Sequence, residues 1–168
     1  EHINTMGRNP KYLRSVKFDK KRLTASTNVV ELVAQHDTLL LVTPSAFVSD
    51  ILDQLTNEQL AGKKIISAIK GVEPNSLKIV GEYLFENKGV SQDDFGVITG
   101  PCHAEEVAQE KLSYLTFAST NAVFCEKMCV ALDCDYIKVT PSADIYGTEI
   151  SAVLKNVYAI AAGMCHSL

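Results

Sequence analysis

Five short runs rich in apolar residues punctuate the chain, at Leu39–Val42, Lys64–Ile69, Phe95–Thr99, Tyr114–Ala118 and Tyr136–Val139. The first, Leu39-Leu40-Leu41-Val42, is apolar at every position. Unbroken apolarity over so few residues marks a strand covered on both faces. Between the runs lie stretches with helical spacing. Phe47, Ile51 and Leu55 recur at four-residue intervals within Ala46–Leu55, and further helices are predicted over Leu77–Asn87, Ala104–Lys111 and Ala122–Leu132. Thr27–His36 precedes them as a helix with Val29, Val30, Leu32 and Val33 on its apolar side. Strands alternating with helices predict an α/β protein, built on a mostly parallel sheet with helices on both faces.

The pattern changes near the end. Ile150, Val153, Leu154, Val157, Ile160, Ala161, Met164 and Leu168 form one apolar stripe, which predicts a long core-facing helix from Thr148. Pro141-Ser142-Ala143-Asp144 reads as the junction before it, dividing the chain at residue 141. Glu1 is not an initiator methionine, and no helix-stop signal follows Met164-Cys165-His166-Ser167-Leu168. The expectation is a fragment that starts and stops inside structural elements.

With 168 residues, 46% hydrophobic and 21% charged, the chain has room for one domain or one domain plus part of another. A net charge of −4 argues against broad nucleic-acid binding or attachment to an anionic membrane. No apolar run approaches the roughly 20 residues of a membrane span, and no signal segment opens the sequence. A cytoplasmic protein without nucleic-acid partner or stable membrane insertion is expected. Cys102, Cys125, Cys129, Cys134 and Cys165 form no CxxC pair and suit reduced thiols, with no metal site expected. Arg8, Lys11, Arg14, Lys17, Lys20, Lys21 and Arg22 make the first 22 residues basic, as a helix remnant and loop with a solvated charged face.

The candidate chemistry lies at strand ends. In open parallel sheets, ligands bind off the carboxyl ends of the strands. Three such ends run into Thr43-Pro44-Ser45, Lys70-Gly71 and Gly100-Pro101-Cys102-His103-Ala104. Parallel strands would set Thr43, Lys70 and Gly100 along one edge. Lys70 and Lys155 both stand among apolar and small residues, and burying an ammonium demands a partner or a task. Together they predict a site for an anionic or carbonyl-bearing small molecule. Ser151, Ala152, Tyr158 and Ala159 flank Lys155 at helical spacing and leave room for a close partner.

Ile-Lys-Gly at 69–71, Gly-Pro-Cys-His-Ala-Glu-Glu at 100–106 and Leu-Lys-Asn-Val-Tyr-Ala-Ile-Ala-Ala-Gly at 154–163 resemble the bacterial-type NAD(P)-dependent sn-glycerol-3-phosphate dehydrogenases. Thr-Pro-Ser-Ala-Phe at 43–47 is similar to the turn whose aromatic lies against the cofactor in that family. The resemblance runs along essentially the whole chain. It implies a Rossmann-like, mostly parallel sheet truncated at its N-terminus, followed by the first long helix of an α-helical domain. Residues 1–141 would be a partial dinucleotide-binding domain and 142–168 the start of the helical substrate domain. The implied activity is hydride transfer between NAD or NADP and a phosphorylated triose, interconverting dihydroxyacetone phosphate and sn-glycerol 3-phosphate and supplying glycerophospholipid synthesis. By resemblance, Lys155, Lys70 and Asn156 are the catalytic residues, with Lys155 the proton acceptor in alcohol oxidation. Phe47, Lys70 and Ala104 line the cofactor, and Lys70, Gly100, Cys102 and Lys155 contact substrate. Many relatives carry Ser or Thr where Cys102 stands. A homodimer is compatible with the family.

One departure stands out: none of the nine glycines forms even a Gly-x-Gly. The glycine fingerprint of the family would belong upstream of Glu1 and most of the helical domain downstream of Leu168, so this piece alone is expected to be inactive. Two other readings compete. A two-domain dehydrogenase of the 3-hydroxyacyl-CoA type would need a catalytic histidine after the last sheet strands, and none of the four histidines is well placed. A non-catalytic nucleotide-binding module is the other.

Overall fold

The apolar runs become one sheet in the computed structural model, which describes residues 2–167. Its strands are β1 (Thr38–Leu41), β2 (Lys64–Ser67), β3 (Phe95–Thr99), β4 (Ser113–Ala118) and β5 (Ile137–Ser142), and they lie in that spatial order. The helices are α1 (His2–Met6), α2 (Val29–Gln35), α3 (Val48–Leu52), α4 (Asn57–Leu60), α5 (Val80–Asn87), α6 (Ala104–Val107), α7 (Ala122–Leu132) and α8 (Ile145–Ser167). β1, β2 and β3 are parallel neighbours, with Leu40 opposite Ile66 and Ile66 opposite Gly96. Their carboxyl ends therefore share one edge, as the turn chemistry predicts. β4 runs antiparallel to β3, Val97 facing Ala118, and β5 runs parallel to β4. Because β3 and β4 are antiparallel neighbours, the connection 100–112 stays at that same edge rather than crossing the sheet.

Each sheet face has its own core. Ile65, Phe95, Val97 and Ala118 pack with Val33, Val48, Leu52, Leu60, Val80, Leu84 and Ile145 from the helices. On the other face Ile66 and Phe117 pack with Phe124 and Cys125 of α7. Phe117 and Phe124 meet edge to face at 5.5 Å, and Phe85 meets Phe95 likewise at 5.3 Å.

Several boundaries differ from the sequence expectation, each for a local reason. The helix predicted from Leu77 begins at Val80, because Leu77 adopts φ +58 and Ile79 bridges to Val72. The helix predicted through Lys111 stops at Val107, and Glu110 adopts φ +57. α4 was absent from the periodicity, yet Thr56 and Gln59 build a reciprocal capping box at its start. β5 extends through Pro141 and Ser142, assigned by sequence to the junction; they pair with Phe117 and Ala118. A proline fits there because β5 is the last strand of the sheet and has a free side.

The largest correction concerns α8. Its expected core-facing stripe is exposed: Ile150, Leu154, Val157, Ile160 and Met164 all stand in solvent, and Leu168 lies outside the described residues. Among the described side chains of α8, Ile145, Glu149 and Ala152 are the buried ones.

Candidate active site

β2 delivers Lys70 to the carboxyl edge, and two local constraints fix the turn around it. Gly71 lies so close to the turn after β1 that an added Cβ would sit 2.3 Å from Ser45 Oγ. Only glycine lets the two turns touch. Beyond it, the buried carboxylate of Glu73 closes the loop. It accepts from the Ser76 hydroxyl and N–H, both at 2.7 Å, and from the Asn75 side chain and N–H at 3.0 and 3.1 Å. These bonds, Ser76 foremost, hold the Glu73 carboxyl well below the usual carboxylate range.

β3 delivers the second turn. At Gly100 an added Cβ would lie 2.2 Å from the Tyr114 carbonyl oxygen. Close approach of β4 therefore explains this glycine without reference to a ligand. Cys102 N–H donates to the Gly100 carbonyl at 2.9 Å, tightening the turn before Ala104 opens α6.

These turns border a cleft of about 570 Å³. Leu40, Ala68, Ile98 and Leu115 form apolar walls, and Lys70, Gly100, Cys102 and Ala104 all line it. Four of the sequence-derived candidates thus come together. Leu13 and Val16, from the basic N-terminal loop, close another side. That loop spends part of its charge on itself: Arg8 donates to the Arg14 carbonyl and Arg14 to the Pro10 carbonyl.

The remaining candidates lie elsewhere. Phe47 is exposed on the turn after β1, and Lys155 and Asn156 are exposed on α8; none lines the cleft. Lys70 is exposed as well, so neither lysine is the buried ammonium expected from sequence. Thr99, at the end of β3, connects the two regions. It lines the cleft and also a hollow of about 340 Å³ bordered by Thr116, Asp144, Gly147, Thr148 and Ser151. Lys155 follows Ser151 by four residues and so lies on the same face of α8.

Sequence reasoning missed Thr99, Leu13 and Val16 as lining residues; no spacing rule ties an isolated loop to a distant strand end. It also missed Glu149. This side chain is buried, and Gly81 N–H donates to both of its carboxylate oxygens at 3.2 Å. Burial pushes its pKa up to about 7 against the pull of the Gly81 and Val80 N–H groups, with Glu82 adding to the rise. All five cysteines are free, and burial beside Cys125 pushes the Cys129 thiol up to about 11. Among the described residues no three His, Cys, Asp or Glu side chains gather as a metal site, and no helix is long and apolar enough to cross a membrane.

Residues 1–125 match the family model described as NAD-dependent glycerol-3-phosphate dehydrogenase N-terminus. Over 168 residues the chain is 34% identical to the glycerol-3-phosphate dehydrogenase (NAD(P)+) of Pseudomonas fluorescens, covering 100% of itself and 48% of that relative. The chain thus spans about half the length of the curated relatives it matches. Among solved structures, that of the Dunaliella salina enzyme DsGPDH superposes with a TM-score of 0.86 at 26% identity, over 96% of this chain and 28% of that one. The glycerol-3-phosphate dehydrogenase of Coxiella burnetii gives 0.84 at 25% identity, over 96% and 49%.

Proposed function

The chain belongs to the NAD-dependent glycerol-3-phosphate dehydrogenase family, and from that premise we propose that its protein interconverts dihydroxyacetone phosphate and sn-glycerol 3-phosphate with NAD or NADP. The observation that carries the reading is the cleft at the carboxyl edge, where Lys70, Gly100, Cys102 and Ala104 meet. A cytoplasmic enzyme supplying glycerophospholipid synthesis follows from the same reading.

The residues present fit one end of the cofactor better than the other. Apolar walls from Leu40, Val42 and Ile98 suit a planar ring, and Lys70 suits an adjacent anion. A diphosphate is ordinarily cradled by a glycine-rich turn at a helix N-terminus, and no Gly-x-Gly occurs in this chain. The 168 residues thus offer the nicotinamide and substrate side of such a site. When bound, the nicotinamide supplies the two-electron exchange, giving hydride to C2 of the ketone or taking it from the alcohol.

The chain's own residues handle charge and protons. Lys70 holds the substrate and the adjoining cofactor from the turn after β2, which the Gly71–Ser45 contact and the Glu73 hydrogen bonds fix in place. Reduction of the ketone builds negative charge on its oxygen. The Lys155 ammonium stabilises that charge and donates the proton that completes the alcohol; in the oxidative direction neutral Lys155 takes the proton back. Asn156 assists beside it. Support comes from the placement of Ser151 on the hollow shared with Thr99, because Lys155 projects from the same helix face one turn on.

Steady-state kinetics of the full-length enzyme test the assignment. Lys155→Met should lower turnover by roughly two to four orders of magnitude, the usual scale for a lost acid–base group, with little change in cofactor affinity. Retention of more than about a tenth of wild-type turnover would remove Lys155 from the proton-transfer role.

A further inference from the structure

We infer that Glu149 is a positioning residue: it caps α5 from a distance and thereby sets the direction of the helix that carries Lys155. The inference about the cap stands on geometry alone, and its link to turnover rests on the reaction proposed above.

α5 begins without a cap of its own. Its N-cap residue is Ile79, whose side chain can accept no hydrogen bond. The first N–H groups of a helix are orphaned unless something outside the helix accepts from them. Here the acceptor comes from 68 residues away: both Glu149 carboxylate oxygens take the Gly81 N–H, and the Val80 N–H also bonds to this carboxylate. Gly81 makes the approach possible. A Cβ there would lie 3.0 Å from Glu149 Oε2 and 2.8 Å from Phe95 Cε1. The missing side chain is thus the socket into which the carboxylate fits.

The same contact lies at the packed end of α8, which rests on β3 and β4. Ile145, Glu149 and Ala152 are its buried residues, and from Leu154 to His166 the described side chains are exposed. Lys155 therefore emerges from α8 just beyond a buried seat formed by Glu149 and Ala152. Three residues of helix beyond Ala152 span about 4.5 Å, so a tilt of roughly 13° at this seat moves the Lys155 backbone by about 1 Å. A displacement of about 1 Å can cost on the order of 100-fold in rate.

Two readouts on one set of variants test this. The first is hydrogen exchange of the full chain. Glu149→Ala should speed exchange at the Val80 and Gly81 amides by about tenfold or more, as expected for exposed helix-end N–H groups. Glu149→Gln keeps an acceptor oxygen and should restore protection. Exchange within about twofold of wild type in Glu149→Ala would overturn the cap. If Glu149→Ala does not fold, Glu149→Asp, one methylene shorter, carries the same comparison. The second readout is turnover of the full-length enzyme. Glu149→Ala should lower kcat by about 10- to 100-fold, leave the KM for cofactor unchanged, and be rescued by Glu149→Gln. In a Lys155→Met background the further loss should vanish, because the effect acts through that lysine. Lost protection with unchanged kcat, or an undiminished loss in the Lys155→Met background, would overturn the positioning role. Should Lys155→Met itself prove active, the proton-transfer reading fails, while the exchange result still decides the cap.

Discussion

At the scale of single residues, the two informative carboxylates are ones that bind backbone N–H groups, Glu73 and Glu149, and they titrate in opposite directions. Glu73 is surrounded by donors and ionises easily; burial of Glu149 pushes its pKa up to about 7, against the pull of the Gly81 and Val80 N–H groups. For Glu149 the folded state binds a proton more tightly than the unfolded chain does. Its contribution to stability is fully present below its ordinary value of 4.5 and is lost as pH rises through about 7. The full swing is at most about 3 kcal/mol. Urea denaturation at intervals from pH 4.5 to 8 should therefore show Glu149→Gln abolishing a decline in stability present in wild type. Glu82 is the carboxylate whose charge adds to the rise at Glu149, and Glu73, with its lowered pKa, titrates below that window. A wild-type decline that persists unchanged in Glu149→Gln would assign the titration to another group.

Among the elements, burial separates helices that hold the fold from helices that only extend it. Leu84 of α5 is completely buried between Phe95 and its neighbours, whereas Ile160 of α8 is 61% exposed. Leu84→Ala should cost about 2–5 kcal/mol, the range for a large core residue cut to alanine. Ile160→Ala should stay within about 0.5 kcal/mol. Comparable losses in both, by thermal or chemical denaturation of the chain, would mean that α8 is packed along its whole length. This contrast also shows what was legible in the sequence. Short runs rich in apolar residues announced every strand, and the Pro and Gly residues after β1, β2 and β3 announced the shared edge. A helical stripe such as Ile150–Met164 announces only that one face is apolar; it does not say what covers it. Nor does periodicity reveal α4, which is polar in three of its four residues and depends on the Thr56–Gln59 capping box. Glu149 was hidden for a related reason: a carboxylate among apolar helix residues reads as surface until the orphaned N–H groups of α5 are placed beside it.

On the scale of the whole molecule, the sheet presents two unequal halves of a binding edge. The turn after β2, with β3 and the 100–112 connection, carries a cleft and four candidate residues. At the other side of the sheet, β1 and the residue after it carry exposed Leu40 and Val42, at 55% and 64% exposure, and no Gly-x-Gly occurs in the sequence to form a phosphate-cradling turn. A dinucleotide spans both regions of such a fold, with its diphosphate held by backbone N–H groups at a helix N-terminus. The 168 residues supply the ring-sized apolar walls and one cation, Lys70, but not that turn. On the proposed reading, the apolar walls and Lys70 would meet the nicotinamide, and the diphosphate would find no glycine turn among these residues to hold it. Titration of the purified chain with NADH, followed by nucleotide fluorescence, should show weak binding without saturation in the micromolar range. Lys70→Met should abolish what binding remains, because among the described residues it removes the basic side chain that lines the cleft. Saturation at micromolar NADH would show that these residues cradle the diphosphate in a way that no glycine turn explains, and the basic segment from Arg8 to Arg22, which lends Leu13 and Val16 to the cleft wall, would be the first place to look for the groups responsible.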